Sequence, residues 1–358
     1  MTDLGRAFRS DDMSTEEFGD NGVTIIANLG EMFNNYDALS YQLHDALAEL
    51  VDNSFDSFVK NKAALNSVGI GEFLVKITIN SKKRTVIVHD NAYGMDGEEL
   101  ANALIPDRKN TDPNHLGMYG RGMKTACGWF GKVWKISTKK LGSDTEYTAV
   151  VDINELMTTG SNFIPITSKD VPGKPSLCYT TVTITNGNRQ YFPATTTKAK
   201  QALSIKYQRF LGDGGVNIQW ISGSTKTFLE YEEPDIYIVK NSEYDEEKAK
   251  AEKDYDEPED IIYNYKFEVE LVNENGKHPL TGRVGIYPPQ GSQTAYSGLT
   301  MFWRNRVIID RNRGYWPDVL GQAVGDLRRQ RVFIHIDTDM DPTSDKKDFK
   351  WDKFTFDE

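Results

Sequence analysis

The chain is poor in the residues that staple or ligate. Only two cysteines, Cys127 and Cys178, occur in 358 residues, too few for a disulfide scaffold or a four-thiolate zinc site. The five histidines, His44, His89, His115, His278 and His335, are scattered without the spacing of a zinc ligand set. No apolar run approaches the ~20 residues that cross a bilayer, and the first 20 residues carry six acidic side chains where a leader would be apolar. The absences argue against secretion, membrane spanning and zinc catalysis, and a cytoplasmic home is expected, nuclear if the source is eukaryotic. Excess positive charge is lacking too: the formal net charge is −11, which at first sight opposes binding to nucleic acid by charge alone. Residues 231–260, however, hold 13 acidic residues and four lysines, which accounts for −9 of that charge and leaves −2 for the rest. The acidity belongs to one block, expected to be a solvated insertion, and a nucleic-acid partner stays open.

What the chain does have is length and apolar content. At ~150 residues per domain, 358 residues suggest about two domains, and 38% hydrophobic residues can supply a core for each. The segment up to about Gly22 is polar and aperiodic and reads as an arm. A helix is predicted from near Asp37 to about Lys60, because Leu39, Leu43, Leu47, Leu50, Val51, Phe55 and Phe58 recur at spacings of three and four. Alternation in Phe73–Ile79 and Arg84–His89 predicts an antiparallel pair across Ser81-Lys82-Lys83. Lys132–Thr138, Glu146–Ile153 and Cys178–Thr185 carry the β-branched and aromatic residues of further strands. Glu98–Gly131, rich in Gly, Asn and Asp, is too long for a routine connection and is a lid candidate. After Asn186-Gly187-Asn188 the pattern resets. A helix at Thr196–Phe210 and strands at Val216–Ile221, Tyr263–Val272, Arg283–Tyr287, Leu299–Ile309 and Arg331–Ile336 are predicted for a second domain.

Three clusters could carry chemistry. Glu49 and Asn53 stand four residues apart on one helix face, beside Asp45, Asp52 and Asp56, whose plain reading is a solvated face. A carboxylate there could polarise a water while the amide oxygen one turn away binds a hard cation such as Mg²⁺. Asp90-Asn91-Ala92-Tyr93-Gly94-Met95 follows a strand end, either as an ordinary Asn/Gly turn or as an acceptor beside a backbone that a flat ligand can approach. Gly117-Met118-Tyr119-Gly120-Arg121-Gly122-Met123-Lys124 is either a hinge or an amide-lined phosphate cradle closed by a helix start after Gly122. It is not a P-loop, because Met123 separates Gly122 from Lys124 and no apolar strand precedes Gly117.

The order of these clusters, acid and amide on a helix, Asp-x-x-x-Gly after a strand, then a glycine-rich lid, resembles the GHKL ATPase superfamily. That group includes gyrase B subunits, MutL, histidine kinases, the ninety-kilodalton heat-shock chaperones and the MORC ATPases. The pieces Ala48–Asp56, Leu116–Lys124, Phe302–Ile308 and Pro342–Phe349 look most similar to MORC-type ATPases in sequence and order. A fourth family motif, usually Gly-Thr on a late strand, is matched in part by Thr180-Thr181.

The resemblance implies an α+β chain. A Bergerat-type α/β sandwich, with helices on a mixed and mainly antiparallel sheet, would be followed by a transducer-like α+β domain. The expected division is an arm at 1–22, an ATP-binding domain at 23–190 with a lid at about 98–124, and the transducer at 191–358 with the insertion at 231–260. It implies ATP and Mg²⁺ as cofactors. Asp90 would accept the adenine amino proton, directly and through water shared with Thr181, next to Gly94 and Met95. Asn53 would hold Mg²⁺, and Glu49 would activate the attacking water. Gly117, Tyr119, Gly120, Arg121, Gly122, Met123 and Lys124 would wrap the triphosphate. Lys346, with Lys347 adjacent, would reach the terminal phosphate from the second domain. The expected activity is slow ATP hydrolysis to ADP and phosphate that drives homodimerisation, with DNA or a protein as possible partner and no membrane. Alternatives are a histidine-kinase-like phosphotransferase and a non-catalytic ATP-binding scaffold. Arg304, Arg306, Arg311, Arg313, Arg328, Arg329 and Arg331 crowd one stretch, either as ordinary ion-pair residues or as a DNA-facing patch.

Overall fold

The computed structural model describes residues 18–19, 22–23, 28–106, 116, 120–211, 215–239, 261–262, 264–273, 276–287, 296–312, 331–343 and 346–349. Two compact units emerge, Met1–Ser204 with Phe210–Glu230, and Ile205–Arg209 with Tyr231–Glu358. Most of the expected arm and of the acidic insertion lies outside the described residues; what is described of the arm is a pair of two-residue strands, β1 (Phe18–Gly19) and β2 (Gly22–Val23).

The first unit is built on an eight-stranded sheet. Its strands are β3 (Phe73–Asn80), β4 (Thr85–Asp90), β5 (Gly131–Lys139), β6 (Thr145–Asp152), β7 (Ile166–Asp170), β8 (Tyr179–Gly187), β9 (Val216–Ser222) and β10 (Thr225–Phe228), in the order β10-β9-β3-β4-β8-β5-β6-β7. Neighbours are antiparallel except β3 and β9, which run parallel. The helices are α1 (Leu29–Asn35), α2 (Leu43–Lys60), α3 (Lys62–Ser67), α4 (Gly97–Leu104), α5 (Gly122–Phe130), α6 (Ile153–Thr159) and α7 (Pro193–Lys206). Strict alternation buries Phe73, Val75 and Ile77 completely, and Phe55 and Phe58 of α2 set their rings against Phe73. Phe33 of α1 meets the buried Trp134 of β5 edge on.

Four expectations need correcting. Helix α2 begins at Leu43 rather than near Asp37, because the Asp45 carboxylate accepts the Gln42 N–H at 3.0 Å and caps the helix there. Tyr36–Ala38 forms one turn of 3-10 helix instead, and Leu39 is exposed. The lid candidate contains two regular helices: α4, whose N-terminus is capped reciprocally by Asp96 and Glu99, and α5. The helix and strand assigned to the start of the second domain, Thr196–Phe210 and Val216–Ile221, belong mainly to the first unit. Strand β9 pairs with β3 from Phe73↔Val216 to Thr78↔Ile221, so α7 is the crossover that two parallel strands, β8 and β9, require. Finally, β7 and α6 were not foreseen; β7 is a largely exposed edge strand without apolar alternation.

The second unit carries a five-stranded sheet of β13 (Asn264–Asn273), β14 (Gly276–Ile286), β15 (Gly298–Trp303), β16 (Arg306–Asn312) and β17 (Val332–Thr338), ordered β13-β14-β17-β15-β16, with β15 and β17 parallel. Leu299, Met301, Phe302, Trp303 and Phe333 form its core. A separate pair, β11 (Ile238–Val239) with β12 (Ile261–Ile262), brackets residues 240–260 of the acidic block. The described start of that block is not simply solvated, since Glu233 grips Arg283 with both carboxylate oxygens at 2.6 Å.

Candidate active site

Helix α2 presents the first cluster. Glu49 is only 6% exposed, while Asn53 one turn on is exposed. The Asn53 Nδ2 donates to the Glu49 carbonyl at 2.7 Å, which leaves Oδ1, a hard oxygen of the kind that could serve a Mg²⁺ ion. The plain reading of the neighbouring acids as a solvated face is wrong: Asp45, Asp52 and Asp56 are all buried. Asp56 accepts the Leu116 N–H at 2.8 Å, which ties α2 to the glycine-rich segment.

Asp90, the last residue of β4, is 3% exposed and held from three sides. Its Oδ1 accepts the N–H groups of Ala92 and Thr180, both at 3.0 Å, and its Oδ2 accepts the Ser54 hydroxyl at 2.6 Å. Burial pushes this carboxyl above its ordinary range, and the three hydrogen bonds pull in the opposite direction. A carboxylate has about four lone-pair positions; three are used, and the fourth suits an exocyclic amino group. Ser54 follows Asn53 directly on α2, so one helix positions Asn53 and also holds the Asp90 carboxylate.

Gly94 is dictated by packing. Its φ is +72°, and a Cβ there would stand 2.0 Å from the Lys139 carbonyl oxygen of β5. The Met95 N–H donates to Thr138 Oγ1 at 2.9 Å, and Thr138 shares a hydroxyl contact of 3.0 Å with Thr180. Thr181, the threonine expected to share water with Asp90, faces the other way. Its hydroxyl meets His89 Nδ1 at 2.8 Å, and it pairs with His89 across the β4–β8 ladder. The face of Asp90 is occupied by Thr180. Strand parity explains the correction, because Thr180 shares its face with Val182 and Ile184, whose side chains are buried.

In the third cluster, Gly117 and Tyr119 lie outside the described residues. Gly120 has φ +62°, and Arg121 is exposed. Gly122 opens α5 directly against the first cluster: a Cβ there would meet Glu49 Oε2 at 2.1 Å. Only glycine lets the positive end of α5 approach that carboxylate so closely. Met123 is half-buried, and Lys124 departs from its expected role. It is 3% exposed, and its Nζ donates to the Ala103 carbonyl at 2.8 Å. The helical phase of α5 points it at the C-terminal turn of α4, where carbonyls attract a cation.

Lys346 sits in the second unit, in a turn closed by the Pro342↔Phe349 bridge, with φ +52° and its N–H on the Thr343 carbonyl at 2.9 Å. It is buried, and Lys347 is only half-buried. The described arginines of the second unit do not form an open patch. Arg306 is 1% exposed, Arg304 lies over the Trp303 ring, Arg311 pairs with Asp310, and Arg331 donates to the Tyr287 carbonyl. Arg313, Arg328 and Arg329 lie outside the described residues.

Sequence reasoning missed Ser54, Thr180 and the role of Gly122 against Glu49. Only for Thr180 was there a signal, the two-residue period running back from Ile184 and Val182.

Among the described residues no helix is long and apolar enough to cross a membrane, and no group of three or more His, Cys, Asp or Glu could hold a metal. A nucleotide-bound Mg²⁺ needs no such group, since phosphates and waters supply most of its ligands. No curated protein matches the chain by sequence. Residues 41–178 match the family model described as "Histidine kinase-, DNA gyrase B-, and HSP90-like ATPase", a range that contains all of α2, the Asp90 loop and α5. The α+β layering, the mixed and mainly antiparallel sheet and this match converge: the first unit carries an ATP-binding domain of the GHKL superfamily.

Proposed function

We propose that the chain is a Mg²⁺-dependent ATPase that hydrolyses ATP slowly and uses the ATP-bound state to form a homodimer, a MORC-like switch acting on DNA or on a protein partner. The observation that carries this reading is the bond from Ser54 to Asp90, which locks the helix bearing Glu49 and Asn53 to the carboxylate at the other end of the site. Asp90 accepts the adenine amino proton, with the Thr180 hydroxyl beside it. Asn53 Oδ1 holds the cation, which supplies charge neutralisation at the phosphates. Glu49 orients a water and takes its proton, and it stands against the positive end of α5. Such positioning and charge compensation are most of what phosphoryl transfer asks of a protein. Lys346 is the residue through which the second unit would sense the terminal phosphate.

Light scattering with a non-hydrolysable ATP analogue tests the switch; a monomer mass at saturating nucleotide refutes it. For the chemistry, Glu49→Ala is expected to lower turnover by about 10²–10⁴-fold, the usual range for a lost general base, while ATP affinity stays within a few-fold. Equal loss of both would make Glu49 a structural residue.

A further inference from the structure

The four outer strands of the two sheets differ in length. β7 has five residues, β10 four and β16 seven, the last with register irregularities against β15. β13 has ten, pairs with β14 in unbroken register from Asn264↔Gly285 to Asn273↔Gly276, and contains no proline. Among the described residues it pairs on one side only. Long, regular edges are the ones that recruit another strand, and the charges this one carries, Lys266, Glu268 and Glu270, repel a partner only where like meets like. The apolar side chains of this edge are also in the open: Tyr265 is 60% exposed and Val269 48%. Between them Phe267 lies over Gly282 of β14, so the ring fills the gap left by the glycine and flattens the face.

The pairing across β14 fixes which backbone groups point outward. Asn273 and Gly276 face each other with two residues between them, the closing pair of a two-residue hairpin, so odd-numbered residues of β13 turn N–H and C=O toward β14. Even-numbered residues, Asn264, Lys266, Glu268 and Glu270, turn theirs outward. An incoming antiparallel copy of the same strand must therefore match even residues with even residues. Centring on Lys266 sets Lys266 against itself, centring on Glu268 sets Glu268 against itself, and centring on Val269 sets Glu268 against Glu270 twice. Among the registers that overlap seven or more residues of β13, centring on Phe267 alone avoids like charges. It places Lys266 opposite Glu268 twice, Tyr265 opposite Val269 twice and Asn264 opposite Glu270, with Phe267 meeting Phe267 on the axis. The edge is thus complementary to itself in charge, apolar contact and hydrogen-bond parity at a single register.

We infer that β13 is a homodimerisation edge, on which a second copy of this chain adds its own β13 antiparallel about Phe267 to make a continuous ten-stranded sheet. The contact is isologous, as a two-fold dimer requires, and it needs no nucleotide; the ATP-driven homodimer proposed above would then pair the first units of two chains that β13 already joins.

Light scattering on the full chain without nucleotide tests it, with far-UV circular dichroism to show that each variant is folded. The wild type is expected to run at twice the chain mass. Lys266→Glu and Glu268→Lys each turn two attractive cross-strand pairs repulsive and should weaken dimerisation by about tenfold or more. The swapped double variant restores opposite charges and should recover affinity to within a few-fold. A nucleotide-free monomer, a dimer indifferent to the single reversals, or a double variant that does not recover would each overturn the inference. A dimer that forms only with the ATP analogue and ignores both residues also overturns it, and leaves the ATP switch standing.

Discussion

The two units hold their carboxylates in different ways. In the first, carboxylates are gripped mostly by backbone N–H groups and a hydroxyl: Asp90 by Ala92, Thr180 and Ser54, Asp56 by Leu116, and Asp45 by Gln42. In the second, charge is set against charge: Glu233 on Arg283, Asp337 on Arg209 and Asp310 on Arg311. A carboxylate held by backbone N–H groups and a hydroxyl, as Asp90 is, can turn a spare lone pair to a ligand, whereas one paired with a guanidinium already faces its counter-charge. In the first unit the carboxylates frame the Asp90 site, and in the second they lie in arginine pairs at partly exposed positions.

The contrast can be broken at its geometric support first. Gly94→Ala places a Cβ against the Lys139 carbonyl at a positive φ, where neither backbone can yield. It should destabilise the first unit by about 3 kcal/mol, from strain and overpacking together, as read by urea denaturation. Asp90→Asn tests the spare lone pair. The Asn oxygen can still accept from Ala92 and Thr180 and its amide can face Ser54, so the fold should survive. ATP affinity should fall by about 10–100-fold, the worth of a hydrogen bond to a charged group, in calorimetry.

A smaller effect distinguishes neighbouring threonines. Thr180→Val should weaken ATP binding by a few-fold while Thr181→Val leaves it unchanged, since only Thr180 shares the face of Asp90; the reverse ranking would refute the strand parity. An effect of another kind, read against pH, concerns the second unit. Burial first, and then Arg283 and Arg209, hold His335 down at about 3, and its Nδ1 accepts from Arg283 at 3.1 Å. The unfolded chain takes up a proton near 6.5, so stability from this site is complete above that pH and is lost as the pH falls from 6.5 toward about 3. Thermal melts of wild type and His335→Gln across that window should converge on acidification; parallel curves would show that His335 does not titrate this way.

Periodicity was enough for some elements. The β3–β4 pair and the end of α2 follow from spacing, because a half-buried strand and an amphipathic helix each write their period into a few consecutive residues. The start of α2 did not, since a single capping carboxylate overrides an apolar position such as Leu39. The place of β9 did not either, because the parallel pairing with β3 joins residues more than 140 positions apart.

The same division holds for the site. Each cluster is a local pattern of side-chain types, and the resemblance of their order to the GHKL superfamily is what joined Glu49, Asn53, Asp90 and the glycine-rich segment into one expected site. Only the tertiary structure decided that Thr180 rather than Thr181 stands by Asp90, that Lys124 serves the end of α4, that Gly122 exists to admit Glu49, and that Ser54 joins the two ends of the site. Each of these depends on which face a residue presents to a distant element, a quantity fixed by packing and register and carried by no single stretch of sequence.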